Sequence, residues 1–149
     1  MARLAIDGGA VRGGERLAET RRIEAGRPRF GIDMDESHIP LEAGLDEAIS
    51  FDKGCYIGQE TIVRIAHRGH VNRKLSGILL DGSTVPARGA TVSAEGRDVG
   101  AMTSAAISPA LGGVVSLAYL KPEISSPGTQ VEVENRPGRV ASLPFLASR

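Results

Sequence analysis

The segment ATVSAEGRDVGAMTSAAI, residues 90–107, carries the clearest fold signal in this chain. Two short β-leaning runs, residues 90–93 and 99–107, lie on either side of Glu95-Gly96. A glycine between two such runs is typical of a hairpin, because glycine adopts the positive φ angles that tight hairpin turns need. The segment therefore predicts a β-hairpin that turns at Gly96.

The same pattern repeats through the C-terminal half of the chain. Further β-leaning runs occupy residues 75–80, 114–120, 130–133 and 139–143. They are separated by turn dipeptides, which are Asp81-Gly82, Arg88-Gly89, Gly112-Gly113, Pro127-Gly128 and Pro137-Gly138. About six short strands at this spacing predict a small antiparallel barrel or sandwich.

The N-terminal half contains one clear helix candidate, residues 15–25, which Gly26 would end. Glu24 would lie in its last turn, where a carboxylate faces the negative end of the helix dipole at a cost of about 0.3–1 kcal/mol. Two interpretations stay open. Glu24 pairs with a neighbouring arginine (Arg21, Arg27 or Arg29), or it accepts hydrogen bonds from a ligand.

A second distinctive segment is KGCYIGQE, residues 53–60, which contains the only cysteine. Its glycines predict a tight turn, and the apolar residues that follow predict a short helix over residues 57–67. A thiol at that point would feel the positive end of the helix dipole and the charge of Lys53, and both favour the thiolate. Cys55 is therefore a candidate reactive thiol with Lys53 as its activator. The alternative is a small buried residue in a turn.

Composition excludes several classes of protein. The 149 residues hold 18 basic and 18 acidic side chains, so no net charge attracts nucleic acid or an anionic membrane. One cysteine excludes an internal disulfide framework and fits a reducing compartment. We find neither an apolar run long enough to cross a bilayer nor a signal peptide, and we expect a cytoplasmic protein.

Two polar clusters favour simple interpretations. Asp33, Asp35 and Glu36 lack the spacing of a calcium loop, so we expect a solvated turn. The basic run from Arg64 to Lys74 favours a solvated face, with an anion site as the alternative. It contains no aromatic residues, which argues against direct nucleic-acid binding. One cysteine with the nearby histidines supplies too few ligands for zinc, and we predict no metal site.

KGCYIGQE followed by RGHVNRKL (residues 68–75) closely resembles the signature of the YgfZ-type folate-binding proteins, relatives of the glycine cleavage T-protein, an aminomethyltransferase. The segments RIEAG (22–26), PLEAGL (40–45) and LPF (143–145) resemble further motifs of this family, in the expected order. Family members are usually at least about twice as long. The chain therefore resembles their C-terminal part.

The resemblance implies an α+β fold. Residues 1–72 would be the C-terminal part of a folate-binding α+β domain, and residues 73–149 a small antiparallel Greek-key β-barrel. In the family, the glutamate of the R-x-E-x-G motif contacts the pterin ring, which implies that role for Glu24. The resemblance also points to a set of further contacts with tetrahydrofolate or another reduced folate, namely Arg22, Tyr56, Gln59 and Arg73.

For function, the resemblance implies an accessory protein in the assembly or maintenance of iron–sulfur proteins, with an indirect effect on tRNA modification. Its partners would be folate and iron–sulfur proteins or their assembly factors. Cys55 favours this interpretation, because the motif cysteine separates YgfZ-type proteins from T-proteins. The alternative is an aminomethyltransferase or a folate-dependent methyltransferase that is complete only in a longer chain. The T-protein's key aspartate lies in its N-terminal region, and nothing here matches it, so we do not expect catalysis by this chain alone.

The proposed activation of Cys55 can be tested by its alkylation rate as a function of pH. Because the thiolate is the reacting species, we expect the rate to rise with a midpoint below the ordinary value of about 8.5. A midpoint at or above that value would contradict activation by Lys53 and the helix.

Overall fold

The computed structural model describes residues 12–50, 53–54, 58–60, 62 and 71–146. Helix α1 spans Glu15–Glu24, and 3-10 turns lie at Asp46–Ala48 and Pro122–Ile124. Among the other described residues, Gln59, Glu60 and Ile62 are also helical. Six strands follow the helix: β1 (Lys74–Leu80), β2 (Thr91–Ala94), β3 (Arg97–Ser108), β4 (Gly113–Leu120), β5 (Gln130–Val133) and β6 (Arg136–Ala141).

The six strands close into a barrel in the order β1-β4-β3-β2-β5-β6. Every neighbouring pair is antiparallel. β2, β3 and β4 form a meander, and β1 lies beside β4, which is the Greek-key arrangement. The predicted α+β fold with a small antiparallel barrel is confirmed. So is the hairpin at Gly96, where Glu95 and Gly96 have φ angles of 51° and 72°.

The barrel has two apolar layers, because side chains alternate between its faces. The interior is filled by aliphatic residues from all six strands, including Ile78, Val92, Leu120 and Val140. Residues of β1 and β4 that point outward form a second cluster with Ile23 of α1: Leu75, Val115, Leu117 and Tyr119. Helix α1 therefore lies on the outer face of β3 and β4.

The end of α1 is fixed by its glycine and by the C-terminus of the described chain. Gly26 has a φ of 66°, and the Gly26 and Arg27 N–H groups donate to the Ile23 and Arg22 carbonyls at 2.8 and 3.1 Å. This is the Schellman motif, which satisfies carbonyls at the end of a helix. The Phe145 N–H donates to the Glu24 carbonyl at 2.9 Å. The LPF segment thereby anchors the helix end to the barrel.

The prediction of a turn at Pro137-Gly138 is wrong. The chain turns instead at Glu134-Asn135, whose φ angles are 51° and 61°. Pro137 and Gly138 lie inside β6, opposite Glu132 and Val131. Pro137 is tolerated because the ladder between β6 and β1 begins only at Gly138, so β1 does not need the N–H that proline lacks.

Close approach of β3 and β4 makes Gly100 the most demanding position of the barrel. A Cβ atom there would collide with the Tyr119 carbonyl oxygen and come within 2.9 Å of the Leu120 side chain. Backbone cannot move aside as a flexible side chain can, so Gly100→Ala forces the two strands apart.

We expect Gly100→Ala to lower the free energy of unfolding by about 3 kcal/mol, measured by urea denaturation. The matched control is Ala101→Ser, which also adds one heavy atom but at the neighbouring exposed position. It should change stability by less than about 0.5 kcal/mol. Equal stability of the two variants would contradict the close approach.

Candidate functional site

Glu24 is buried at the contact between α1 and β3. Its side chain is 4% exposed and lies at the last position of the helix. The Ser108 hydroxyl donates to Oε1 at 2.6 Å, and the Arg21 guanidinium donates to Oε2 at 3.1 Å. A carboxylate accepts about four hydrogen bonds. Each oxygen therefore keeps a lone pair that these two contacts do not use.

Arg22 uses all three guanidinium nitrogens in contacts within the protein. Nε and Nη2 donate to the Glu19 carboxylate, and Nη1 donates to Asp33 at 2.7 Å. Nη2 also donates to the Ser104 hydroxyl of β3 at 2.8 Å. Burial disfavours the charged guanidinium, but the hydrogen bond to Glu19 and the charge of Asp33 outweigh it and raise the pKa of Arg22. The same hydrogen bond lowers the pKa of Glu19. Arg22 thus ties α1 to the barrel as a permanent cation.

Asp33 also takes part in the contacts that link Arg22 to the barrel. The prediction of a solvated turn is wrong for this residue. Its side chain is 0% exposed. Oδ2 accepts from Arg22 and from the Arg29 N–H at 2.7 and 2.9 Å, while Oδ1 accepts from Thr103 and Ser104 at 2.5 and 2.6 Å. Asp35 and Glu36 are exposed as expected. Hydrogen bonds from the Ser37 hydroxyl and N–H lower the pKa of Asp35.

Arg73 lies at a second polar cluster beside the start of β1. Its Nε donates to Glu42 at 3.0 Å, and its guanidinium lies 5.2 Å from the centre of the Tyr119 ring. The His38 ring packs on the same tyrosine at 4.8 Å between ring centres. The Arg73 side chain is 39% exposed. It can therefore reach a ligand at the surface, which the more buried Arg22 cannot do without giving up contacts.

The Tyr119 hydroxyl is buried and has no hydrogen-bond partner among the described residues. Burial raises the pKa of Tyr119 to about 12, although the nearby charge of Arg73 lowers it. The phenol therefore stays neutral at physiological pH and acts as a flat apolar support for Arg73 and His38.

A cavity of about 210 Å³ lies between the loop at residues 31–38 and the barrel. Its wall includes Asp33, His38, Arg88, Met102 and Thr103. Arg88 donates to the Ile32 carbonyl and so holds this loop against the barrel. The cavity is smaller than the roughly 300–1,000 Å³ of typical ligand pockets. By itself it does not define a site for a folate.

The structure places the predicted site residues in different regions. Glu24 and Arg22 lie together on α1, and Arg73 lies at the start of β1. Lys53 is exposed and Gln59 is half-buried, while Cys55 and Tyr56 lie outside the described residues. Gly58 has a φ of 88° and its carbonyl accepts from the Ile62 N–H at 3.2 Å, as expected for a turn that opens a helix. The remainder of the helix predicted over residues 57–67 also lies outside the described residues.

Sequence reasoning missed several residues that complete these clusters. Ser104 and Ser108 are four residues apart on β3 and face the helix, so alternation along a strand could have grouped them. Glu42 lies in the PLEAGL segment, which does not indicate its contact with Arg73, and Tyr119 carries no comparable signal. Their contact with Arg73 depends on chain segments that only the fold brings together.

Among the described residues, no group of three or more histidine, cysteine, aspartate or glutamate side chains could hold a metal ion. No helix in that part of the chain is long and apolar enough to cross a membrane. The cytoplasmic location stays a prediction.

Comparison with known proteins shows a relation to one family. Residues 73–146 match the glycine cleavage T-protein C-terminal barrel domain. An aminomethyltransferase from Halothermothrix orenii is 34% identical over 144 residues, which cover 94% of this chain and 40% of the relative. An aminomethyltransferase from Rubrobacter xylanophilus is 36% identical over 143 residues, covering 94% of this chain and 38% of the relative.

Part of the crystal structure of glycine cleavage system aminomethyltransferase T from Bartonella henselae has the same architecture. It matches with a TM-score of 0.79 at 26% identity, over 88% of this chain and 38% of that chain. The chain thus spans about 40% of the length of the relatives it matches. The finer assignment to the YgfZ type stays a prediction. The barrel, the matched segments upstream of it and the names of the relatives all agree with a relation to the aminomethyltransferases. The chain is therefore related to the glycine cleavage T-protein (aminomethyltransferase) family, and its residues 73–146 match the C-terminal barrel domain of that family.

Proposed function

We propose that this chain is the folate-binding C-terminal part of a folate-dependent one-carbon transferase of the aminomethyltransferase type. The relatives named aminomethyltransferase match 94% of the chain, including the segment with Glu24 as well as the barrel. This supports the transferase interpretation over an iron–sulfur accessory role. Because the chain spans about 40% of those relatives, the complete reaction would need further protein.

The observation that carries the proposal is the geometry of Glu24. A pterin ring presents an N–H and an NH₂ side by side, and a carboxylate can accept both at once. Among the described residues, Glu24 has one donor on each carboxylate oxygen, and these two contacts leave a lone pair on each. Its Arg21 partner is 67% exposed, whereas the Glu24 side chain is 4% exposed. The donors of a bound ring would take the place of Arg21 on Oε2, so the buried carboxylate would stay paired.

The other proposed contacts differ in how readily they could reach a folate. The Arg73 side chain is partly exposed and would suit an anionic group such as the glutamate tail of a folate. Arg22 is held by Glu19 and Asp33, so its contribution would be to fix α1 as well as to contact the ligand. Gln59 and Tyr56 come from the KGCYIGQE motif. Bound tetrahydrofolate, or another reduced folate, would supply the nitrogen atoms that accept the one-carbon unit.

We expect Glu24→Gln to weaken the binding of a stable reduced folate at least about tenfold, because the amide replaces one acceptor oxygen with a donor. The measurement is a calorimetric titration of this chain, with circular dichroism to verify folding. Glu15→Gln, on the exposed first turn of the same helix, is the matched control and should bind as the wild type does. An unchanged dissociation constant in Glu24→Gln would contradict the proposed pterin contact.

A second function, an accessory role for iron–sulfur proteins, is favoured by one observation, the cysteine of the KGCYIGQE motif. The two functions make different demands on this thiol. We expect Cys55→Ser to leave folate binding unchanged under both. In cells that depend on the complete protein, the same variant should lose iron–sulfur enzyme activity only if the accessory role is correct. Retained activity of those enzymes with Cys55→Ser would exclude it.

A further inference from the structure

Ser108, the last residue of β3, is completely buried against the end of α1. Its hydroxyl donates to Glu24 Oε1 at 2.6 Å, and its Oγ accepts the Leu111 N–H at 3.2 Å. A serine hydroxyl has a single proton. Because the Leu111 N–H approaches the oxygen as a donor, the hydroxyl proton is left to point at the carboxylate.

Glu24 needs this donor more than an exposed glutamate would. It is buried at the C-terminal end of a helix, where burial and the helix dipole both disfavour a negative charge. Arg21 is mostly in solvent and screens the charge only weakly. The Ser108 hydroxyl makes a short hydrogen bond to a charged acceptor, which is among the strong types in proteins. Ser108 is therefore the main buried partner of this carboxylate.

The position of Glu24 is also set from the backbone side. The Phe145 N–H donates to the Glu24 carbonyl at 2.9 Å, so the main chain at this residue is tied to the barrel. With the main chain fixed and Oε1 held by Ser108, the plane of the carboxylate is defined before any ligand arrives. The lone pairs that remain then have a fixed direction.

We propose that Ser108 is a positioning residue for ligand recognition, which orients the Glu24 carboxylate towards the paired N–H donors of a pterin-like ring. This inference rests on the proposed function, since it assigns Ser108 a part in the same site. Ser108 acts only through Glu24 and does not contact the ligand.

The test is a double-mutant cycle on folate affinity with wild type, Ser108→Ala, Glu24→Gln and the double variant. We expect Ser108→Ala to weaken binding about tenfold in the wild-type background, the loss of one hydrogen bond to a charged group. In the Glu24→Gln background the same change should weaken it less than about twofold, because the two residues form one unit. A serine with only a structural role would cause the same loss in both backgrounds, and that result would overturn the proposal.

Two further variants separate positioning from folding. Ser116→Ala removes another completely buried barrel hydroxyl, which donates to the Ile78 carbonyl away from α1, and it should leave affinity unchanged. Ser108→Cys keeps a side chain of similar shape with a weaker donor and should weaken binding as alanine does. If Ser108→Ala does not fold, Ser108→Cys still decides the test. Wild-type affinity in a folded Ser108→Cys or Ser108→Ala protein would overturn the proposal.

The outcomes distinguish this inference from the proposed function. If Glu24→Gln weakens binding and the Ser108 variants do not, only the positioning role fails. If the wild-type chain does not bind the folate, or if Glu24→Gln binds as well as wild type, the proposed pterin site fails and the role of Ser108 fails with it.

Discussion

The contact between α1 and the barrel buries two carboxylates, whose negative charges need hydrogen-bond donors. The placement of the N-terminal segment depends on which residues supply these donors. An unpaired buried charge costs far more than a typical hydrogen bond contributes. Asp33 gathers four donors from the helix, the following loop and β3. Glu24 gathers Ser108 and Arg21. The helix can meet both requirements only in one position on β3.

This arrangement connects the barrel to the candidate site. Ser104 and Ser108 lie on the outer face of β3. The Ser104 hydroxyl accepts from Arg22 and the Ser108 hydroxyl donates to Glu24, two residues further along the helix. The apolar cluster around Ile23 lies beside these polar contacts. Apolar packing supplies attraction without direction, whereas the hydrogen bonds fix the register of the helix on the strand. The barrel thus holds the Glu24 carboxylate at a defined place.

Local sequence signals predicted the elements well and their long-range contacts poorly. The strands could be predicted because glycine and proline separate the β-leaning runs, and the hairpin at Gly96 because glycine suits its turn. The turn at Glu134-Asn135 was missed because it uses positive φ angles without glycine. The burial of Asp33 could not be foreseen, since its donors lie up to 71 residues away. For the same reason, the sequence around Glu24 does not indicate its contact with Ser108.

The most direct test of the account is a crystal structure of this chain with a stable reduced folate. We predict that the pterin ring donates to both oxygens of Glu24, with Arg21 displaced and the Ser108 hydroxyl still bonded to Oε1. A folate bound elsewhere on the chain, with the contact between Glu24 and Arg21 intact, would contradict the account.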